Sequence, residues 1–236
     1  MVNRLNEILG ELNIELSDEQ VSQFESYYEL LVETNKVMNL TAITEKYEVI
    51  VKHFADSLEL IRSVPDIREK EYSLIDVGTG AGFPGIPLKI AFPKLRVLLL
   101  DSLNKRVNFL NNVIEELGLK DIEAVHMRAE EGAANPSYRE HFDICVSRAV
   151  ANLSTLSEYC LPYVKQGGFF IPYKSGEVED EVKNASNAIR ILGGELVRVD
   201  SFSLLENERS LVVIEKKKTT PKKYPRKAGL PKKEPL

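Results

Sequence analysis

The chain has 236 residues, 43% of them hydrophobic and 28% charged, with a formal net charge of −5 and only two cysteines. That is ordinary globular composition, enough for one large domain or one domain with a smaller companion. It holds no apolar run of about 18 residues, so no membrane-spanning helix is expected. The acid-bearing start, MVNRLNEILGELNIEL, lacks the apolar core of a secretory signal.

The first seventy residues read as helical. NRLNEILGEL places Leu5, Ile8, Leu9 and Leu12 on one stripe. LSDEQVSQFESYYELLVETNKVM begins with Ser17 and has Gln20 three residues on, a capping-box start, with Val21, Phe24, Tyr28 and Leu31 facing one way. TEKYEVIVKHFADSLELIRSV reads as a third helix, capped by Thr44, with Ile50, Phe54, Leu58 and Ile61 inward and Pro65 as its stop.

From residue 72 the texture changes. YSLIDV, RVLLLD, IEAVHM, FDICVS and GGFFIPYK read as buried strands, with helical stretches near 85–92, 103–117, 151–164 and 177–192 between or after them. This alternation implies βαβ units and a parallel sheet. GELVRVDSFSL and ERSLVVIEKK then pair as a hairpin across a short turn. The last segment, TTPKKYPRKAGLPKKEPL, is rich in Pro and Lys without an amphipathic stripe and reads as an extended tail. The divisions are therefore 1–70, a helical region; 71–217, an α/β domain; and 218–236, a basic tail. Residues 216–236 hold nine Lys/Arg and one Glu, which leaves the rest of the chain at −13. An acidic body with a basic tail suggests an anionic partner.

Between the first strand and the helix after it lies DVGTGAGFPGIPLKI. Gly78, Gly80, Gly82 and Gly85 suit a loop where a ligand touches backbone at a helix N-terminus. Asp76, just before the first glycine, would repel a pyrophosphate but suits an ammonium group. Phe83 crowds the position where a diphosphate would dock. Both features favour S-adenosylmethionine over a nicotinamide dinucleotide. Asp101, with Ser102, ends the second strand, where a carboxylate accepts from ribose hydroxyls in either kind of protein. Ala129 and Glu130, in RAEEG after the third strand, are placed to flank an adenine.

TNKVMNLTAI, KHFADS, DVGTGAGFPGIPLKI, DSLNKRVNFL, RAEE, VSRAVA, ERSLVVI and PKKYPRKAGLPKKEPL together resemble the ribosomal small-subunit methyltransferase G family, also called glucose-inhibited division protein B. The resemblance spans almost the whole chain. It implies an α/β fold of the Rossmann-like class I methyltransferase kind: a seven-stranded, mostly parallel sheet with an antiparallel last strand, plus a small helical N-terminal region. It implies methyl transfer from S-adenosylmethionine to N7 of a guanosine in 16S rRNA, near the decoding site, with cofactor contacts at Gly78, Phe83, Ala129, Glu130 and Arg148. One departure is Thr34, where the family usually carries Trp.

The residues suit such chemistry. The end of the fourth strand, SRAVA, lacks the Asn/Asp-Pro-Pro-Tyr/Phe element used on exocyclic amines, and both cysteines read as buried core thiols, not nucleophiles. Guanine N7 carries an in-plane lone pair and no proton, so no residue is needed as a general acid or base, and the work is positioning. Arg148 is the candidate to hold guanine O6 or a phosphate. RNA contacts are expected from Asn39, from His53, which shares a helical face with Asp56 and Ser57, and from Lys105, Arg106 and Lys174. In the tail they are expected from Lys222, Lys223, Arg226, Lys227, Lys232 and Lys233. His126 and His141 read as structural, and no cluster has metal spacing. The expected partner is 16S rRNA or the small ribosomal subunit, for a cytoplasmic monomer that uses no membrane. Other classes left open are a small-molecule methyltransferase, an NAD-dependent dehydrogenase and a non-catalytic rRNA-binding factor.

Overall fold

The computed structural model describes residues 2–236. α1 (Val2–Gly10) turns Leu5, Ile8 and Leu9 inward, and Leu12 follows them into the core. α2 (Asp18–Met38) opens on a closed capping box: Ser17 Oγ accepts from Gln20 N–H, and Gln20 Oε1 accepts from Ser17 N–H. Phe24 and Leu31 are buried, but the residue buried between them is Tyr27, while Tyr28 and Val21 are half-buried. The rotation has a polar cause. A tyrosine buried to its tip needs an acceptor, and Tyr27 Oη donates to Ala81 O at 2.6 Å.

The third helix is composite. α3 (Lys46–Val49) runs into a π-helical stretch over Ile50–Ala55, then α4 (Asp56–Leu58) and a 3₁₀ turn over Glu59–Arg62. Its cap position is Glu45, not Thr44, and no side chain caps it. A π turn carries one more residue than an α turn. Ile50, Phe54 and Leu58 keep the expected stripe through the π turn, whereas the 3₁₀ turn, with only three residues per turn, brings Leu60 into the core in place of the expected Ile61. Asp56 and Ser57, just after the π turn, are buried as well.

Seven strands follow: β1 (Ser73–Val77), β2 (Arg96–Asp101), β3 (Ile122–His126), β4 (Phe142–Arg148), β5 (Val164–Ser175), β6 (Gly194–Leu204) and β7 (Asn207–Lys216). They form one sheet in the order β3-β2-β1-β4-β5-β7-β6. The first five are parallel, and β7 lies antiparallel between β5 and β6, as the hairpin pattern anticipates. β1 and β2 read as near-continuous apolar runs because both faces are covered. One face packs on the N-terminal helices with α5 (Gly85–Ala91) and α6 (Asn104–Glu116), in a core that joins Leu5, Phe24 and Phe54 to Leu99 and Ile171. The other packs on α7 (Ala129–Ala134), α8 (Leu153–Cys160) and α9 (Glu179–Ile191), around Val77, Leu156, Ile189 and both cysteines.

The tail departs from expectation. Residues 218–236 are not a free arm but a strap across α7 and α8, with Tyr224 and Pro231 buried and a last turn, α10 (Leu230–Lys233). Glu158 on α8 is fully buried, and a buried carboxylate needs a paired cation. Arg226 supplies it, with Nε and Nη2 on both carboxylate oxygens at 2.6–3.0 Å. Local composition reads as an extended tail because Glu158, which fastens it, lies 68 positions away in sequence.

Candidate active site

The strand order reverses between β1 and β4, and a cavity of about 590 Å³ opens there, off the carboxyl ends of the strands. It brings together Gly78, Gly80, Phe83, Arg106 and Arg148 with His53 from the π turn and Lys174 from the end of β5. Leu40, Thr41 and Ile43, after α2, close one side.

Most of the loop glycines answer to the protein itself. A Cβ on Gly82 would lie 2.5 Å from Ile86 Cδ1 and 2.7 Å from Tyr27 Oη, and one on Gly85 would lie 2.3 Å from Leu99 and 3.0 Å from Asp76 Oδ2. Gly80 differs. It has φ +63° and open space where a Cβ would stand, so the backbone is bare to the cavity at this point.

Asp76 sits under this loop, fully buried. Its Oδ2 accepts from Thr79 Oγ1 at 2.7 Å and Gly85 N–H at 2.9 Å, which braces the turn into α5. Its Oδ1 is buried without a hydrogen-bond partner among the described residues. Burial, only partly offset by those two bonds, pushes its carboxyl up to about 6. A carboxyl raised on folding adds stability below the unfolded value near 4, and this is lost as pH rises through about 6. D76N keeps an acceptor for both bonds and carries no charge. It is expected to melt higher than the parent at pH 7.5, by an amount of order 2 kcal/mol in stability that shrinks toward pH 5. A variant that melts lower at both pH values would show that the loop needs the charge.

Asp101 closes the far side of the loop. Its Oδ2 accepts from Gly80 N–H at 2.9 Å and faces Arg106 Nη1 at 3.4 Å, while Oδ1 accepts from Leu103 N–H at 2.9 Å. An ionised carboxylate offers about four acceptor sites, so room remains for a further donor. Ser102 is exposed beside it, its carbonyl 3.1 Å from His126 Nε2. Ala129 and Glu130 open α7 and do not line the main cavity. Glu130 Oε1 accepts from Gly229 N–H of the strap at 2.8 Å, so that oxygen fastens the tail; the expectation that this carboxylate reads an adenine edge is narrowed accordingly.

At the end of β4, Arg148 is locked in place. Its Nη1 donates to Asp56 Oδ2 at 2.5 Å and to Lys52 O at 3.2 Å, and its guanidinium lies 5.3 Å from the Phe83 ring centre. The other Asp56 oxygen takes Arg209 Nε at 2.8 Å. One buried carboxylate thus anchors two arginines on the cavity wall. His53 stacks on Phe83 with ring centres 4.4 Å apart, and its Nε2 lies 2.9 Å from Thr41 Oγ1. Burial first, and the Arg148 charge second, lower its imidazole to about 4, so it is neutral at physiological pH.

The remaining candidates are dispersed. Lys174 is tied to Glu181 at 2.7 Å and to Ala151 O. Asn39 ends α2 with φ 51°, a capping role, and lies exposed. Lys105 is exposed on α6, and Lys222, Lys223, Lys227, Lys232 and Lys233 are exposed on the strap. Arg226 is spent on Glu158. Sequence reasoning passed over Tyr27, Tyr173, whose Oη donates to Ser57 O at 2.6 Å, and Arg209. Arg209 lies inside the strand-like run ERSLVVI, where nothing local singles it out. Among the described residues no cluster of His, Cys, Asp and Glu could hold a metal ion.

The chain matches the family model described as rRNA small subunit methyltransferase G over residues 20–212. It is 58% identical over 230 residues to the ribosomal RNA small subunit methyltransferase G of Lachnoclostridium phytofermentans, covering 97% of this chain and 94% of that one. It is 54% identical over 228 residues to the protein of the same name from Alkaliphilus metalliredigens, covering 96% and 95%. Among solved structures it is similar to M. jannaschii TYW2 in complex with AdoMet, with a TM-score of 0.53 at 12% identity over 68% of this chain and 76% of that one. It is also similar to MtNAS in complex with MTA and tNA, with a TM-score of 0.55 at 14% identity over 81% and 73%. At such identities the likeness is one of fold.

Proposed function

The chain belongs to the rRNA small subunit methyltransferase G family, and from that premise we propose how its cleft transfers a methyl group from S-adenosylmethionine to guanine N7 of 16S rRNA. The observation that carries the reading is the pairing of a bare backbone at Gly80 with a carboxylate at Asp101 that keeps acceptor capacity, at the point where the sheet order reverses.

The residues fit the cofactor. Asp101, with Ser102 beside it, would hold the ribose hydroxyls, and Gly80 would let the ligand lie against the backbone, next to Gly78, which lines the cavity but whose Cβ position is taken by Val150. Ala129 and the backbone of Glu130 would border the adenine. The orphaned Oδ1 of Asp76 suits a nearby positive charge better than a phosphate. Bound there, S-adenosylmethionine supplies an electrophilic methyl group on a sulfonium.

The rest of the cleft positions the base. Guanine N7 has no proton to remove, and no side chain on the cavity wall is required as a base. Arg148 and Arg209, both held by Asp56, offer fixed cationic groups to guanine O6 or a phosphate. His53 and Phe83 give a flat, neutral wall. Prepaid orientation of this kind lowers the barrier by several kcal/mol. Residues 71–217 form the catalytic unit, which the helical region 1–70 completes by contributing His53 and Asp56. Among the described residues no helix is long and apolar enough to cross a membrane, and a cytoplasmic monomer is the simplest state for an enzyme acting on rRNA.

The exposed lysines of the strap, with Lys105, would meet rRNA phosphates. Replacing Lys222, Lys223 and Lys227 with alanine is expected to weaken RNA binding and to lower the salt slope of log K by about one for each lysine that meets a phosphate. An unchanged slope would remove the strap from the RNA interface. The function itself is tested by incubating the protein with S-adenosylmethionine labelled in its methyl group and 16S rRNA or small subunits from cells lacking the gene. Label in one 7-methylguanosine is expected; label in another nucleoside, or in none, would overturn the assignment.

A further inference from the structure

The strap does more than cover α8. Its inner face is fastened at separate points: Arg226 on Glu158, Arg139 on the carbonyls of Thr220 and Tyr224 at 2.8 and 2.9 Å, and Gly229 N–H on Glu130 Oε1 at 2.8 Å. The last of these reaches the start of α7. Glu130 is the second residue of α7, a helix of only six residues. A helix that short is not stable by itself and depends on outside contacts. From below, Tyr163 Oη donates to Ala129 O at 2.7 Å. From above, the amide of Gly229 holds the Glu130 carboxylate. Gly229 has φ +84°, a conformation that other residues rarely adopt, so the bond is built into the course of the strap.

We infer that the C-terminal strap is a working part of the cofactor site. Gly229 is a positioning residue that fixes Glu130, and with it the Ala129–Glu130 turn, so that affinity for the cofactor depends on residues outside the cleft. The inference rests on the reading above in which that turn borders the adenine.

Calorimetric titration with S-adenosylmethionine tests it on the full chain, on G229P, on E130A and on the double variant, together with amide hydrogen exchange of α7 in the unloaded proteins. Proline has no N–H and cannot take a positive φ. The full chain is expected to bind. G229P should bind roughly tenfold more weakly, the loss of one charge-assisted hydrogen bond, and α7 should exchange faster. The double variant should be no weaker than E130A alone, because the two groups act as one unit. Should proline disturb the strap elsewhere, a chain ending at Ala228 is expected to show the same loss. Affinity within about twofold of the full chain in both G229P and the shortened chain would overturn the inference, as would additive losses in the double variant. Failure of the full chain itself to bind would instead overturn the cofactor reading, and this inference with it.

Discussion

Replacing Asp101 with alanine is expected to raise the dissociation constant for S-adenosylmethionine at least about a hundredfold, with only a modest loss of stability. A hydrogen bond to a charged group contributes about 1.5–3 kcal/mol. A carboxylate that accepts from ribose hydroxyls therefore accounts for a hundredfold in affinity, about 2.7 kcal/mol. The folded state loses less. Asp101 also accepts from Gly80 and Leu103 N–H, but both amides lie in loops within reach of water. A loss near 1 kcal/mol would lower the melting temperature by about 2–4 °C in a chain of this size. D101N keeps the shape and an acceptor and should fall between the two. Calorimetry checks the affinity and thermal unfolding the fold. Unchanged affinity in D101A would take Asp101 out of the ribose role.

Asp56 produces the opposite pattern, a large loss of stability. It is 2% exposed and holds Arg148 and Arg209 on its two oxygens. D56A leaves two guanidinium groups, themselves mostly buried, facing each other without the anion. Breaking a buried pair from one side costs about 3–5 kcal/mol, which corresponds to roughly ten degrees of melting temperature here. D56N, which still accepts hydrogen bonds, should recover part of it. Methyl transfer should fall further than stability alone explains, because Arg148 would no longer be held over Phe83. A D56A protein that melts within about two degrees of the parent would show that the arginines find other partners and that the cluster is not a fixed wall.

How far the sequence carries depends on the range of the interaction. The sheet was legible because each buried strand is a contiguous apolar run, and the helices between strands follow from their own period. The capping box at Ser17 and Gln20 is a local contact and was legible too. The third helix shows its stripe of Ile50, Phe54 and Leu58 locally, but no local pattern announces the π and 3₁₀ turns within it, or that Asp56 is buried there against Arg148 and Arg209. The place of Asp76 before the first glycine is plain in the sequence, but its second role is not: Thr79 and Gly85 fold back onto one of its oxygens and make it a brace under the loop. Arg226 reads from sequence as an RNA contact, and nothing singles out Gly229, because Glu158 and Glu130, which they meet, are 68 and 99 positions away. Arg209 was hidden for the same reason, being 153 positions from Asp56. The glycine loop, Asp101 and Arg148 could be named from sequence because their places follow from strand ends. What holds them could not.

The most direct test is a calorimetric titration of the purified protein with S-adenosylmethionine, its demethylated product and a nicotinamide dinucleotide in parallel. Saturable heat is expected with the first two and none with the third. Silence with both adenosyl compounds, alongside saturable binding of the dinucleotide, would contradict the acid-lined glycine turn as a seat for a sulfonium nucleoside.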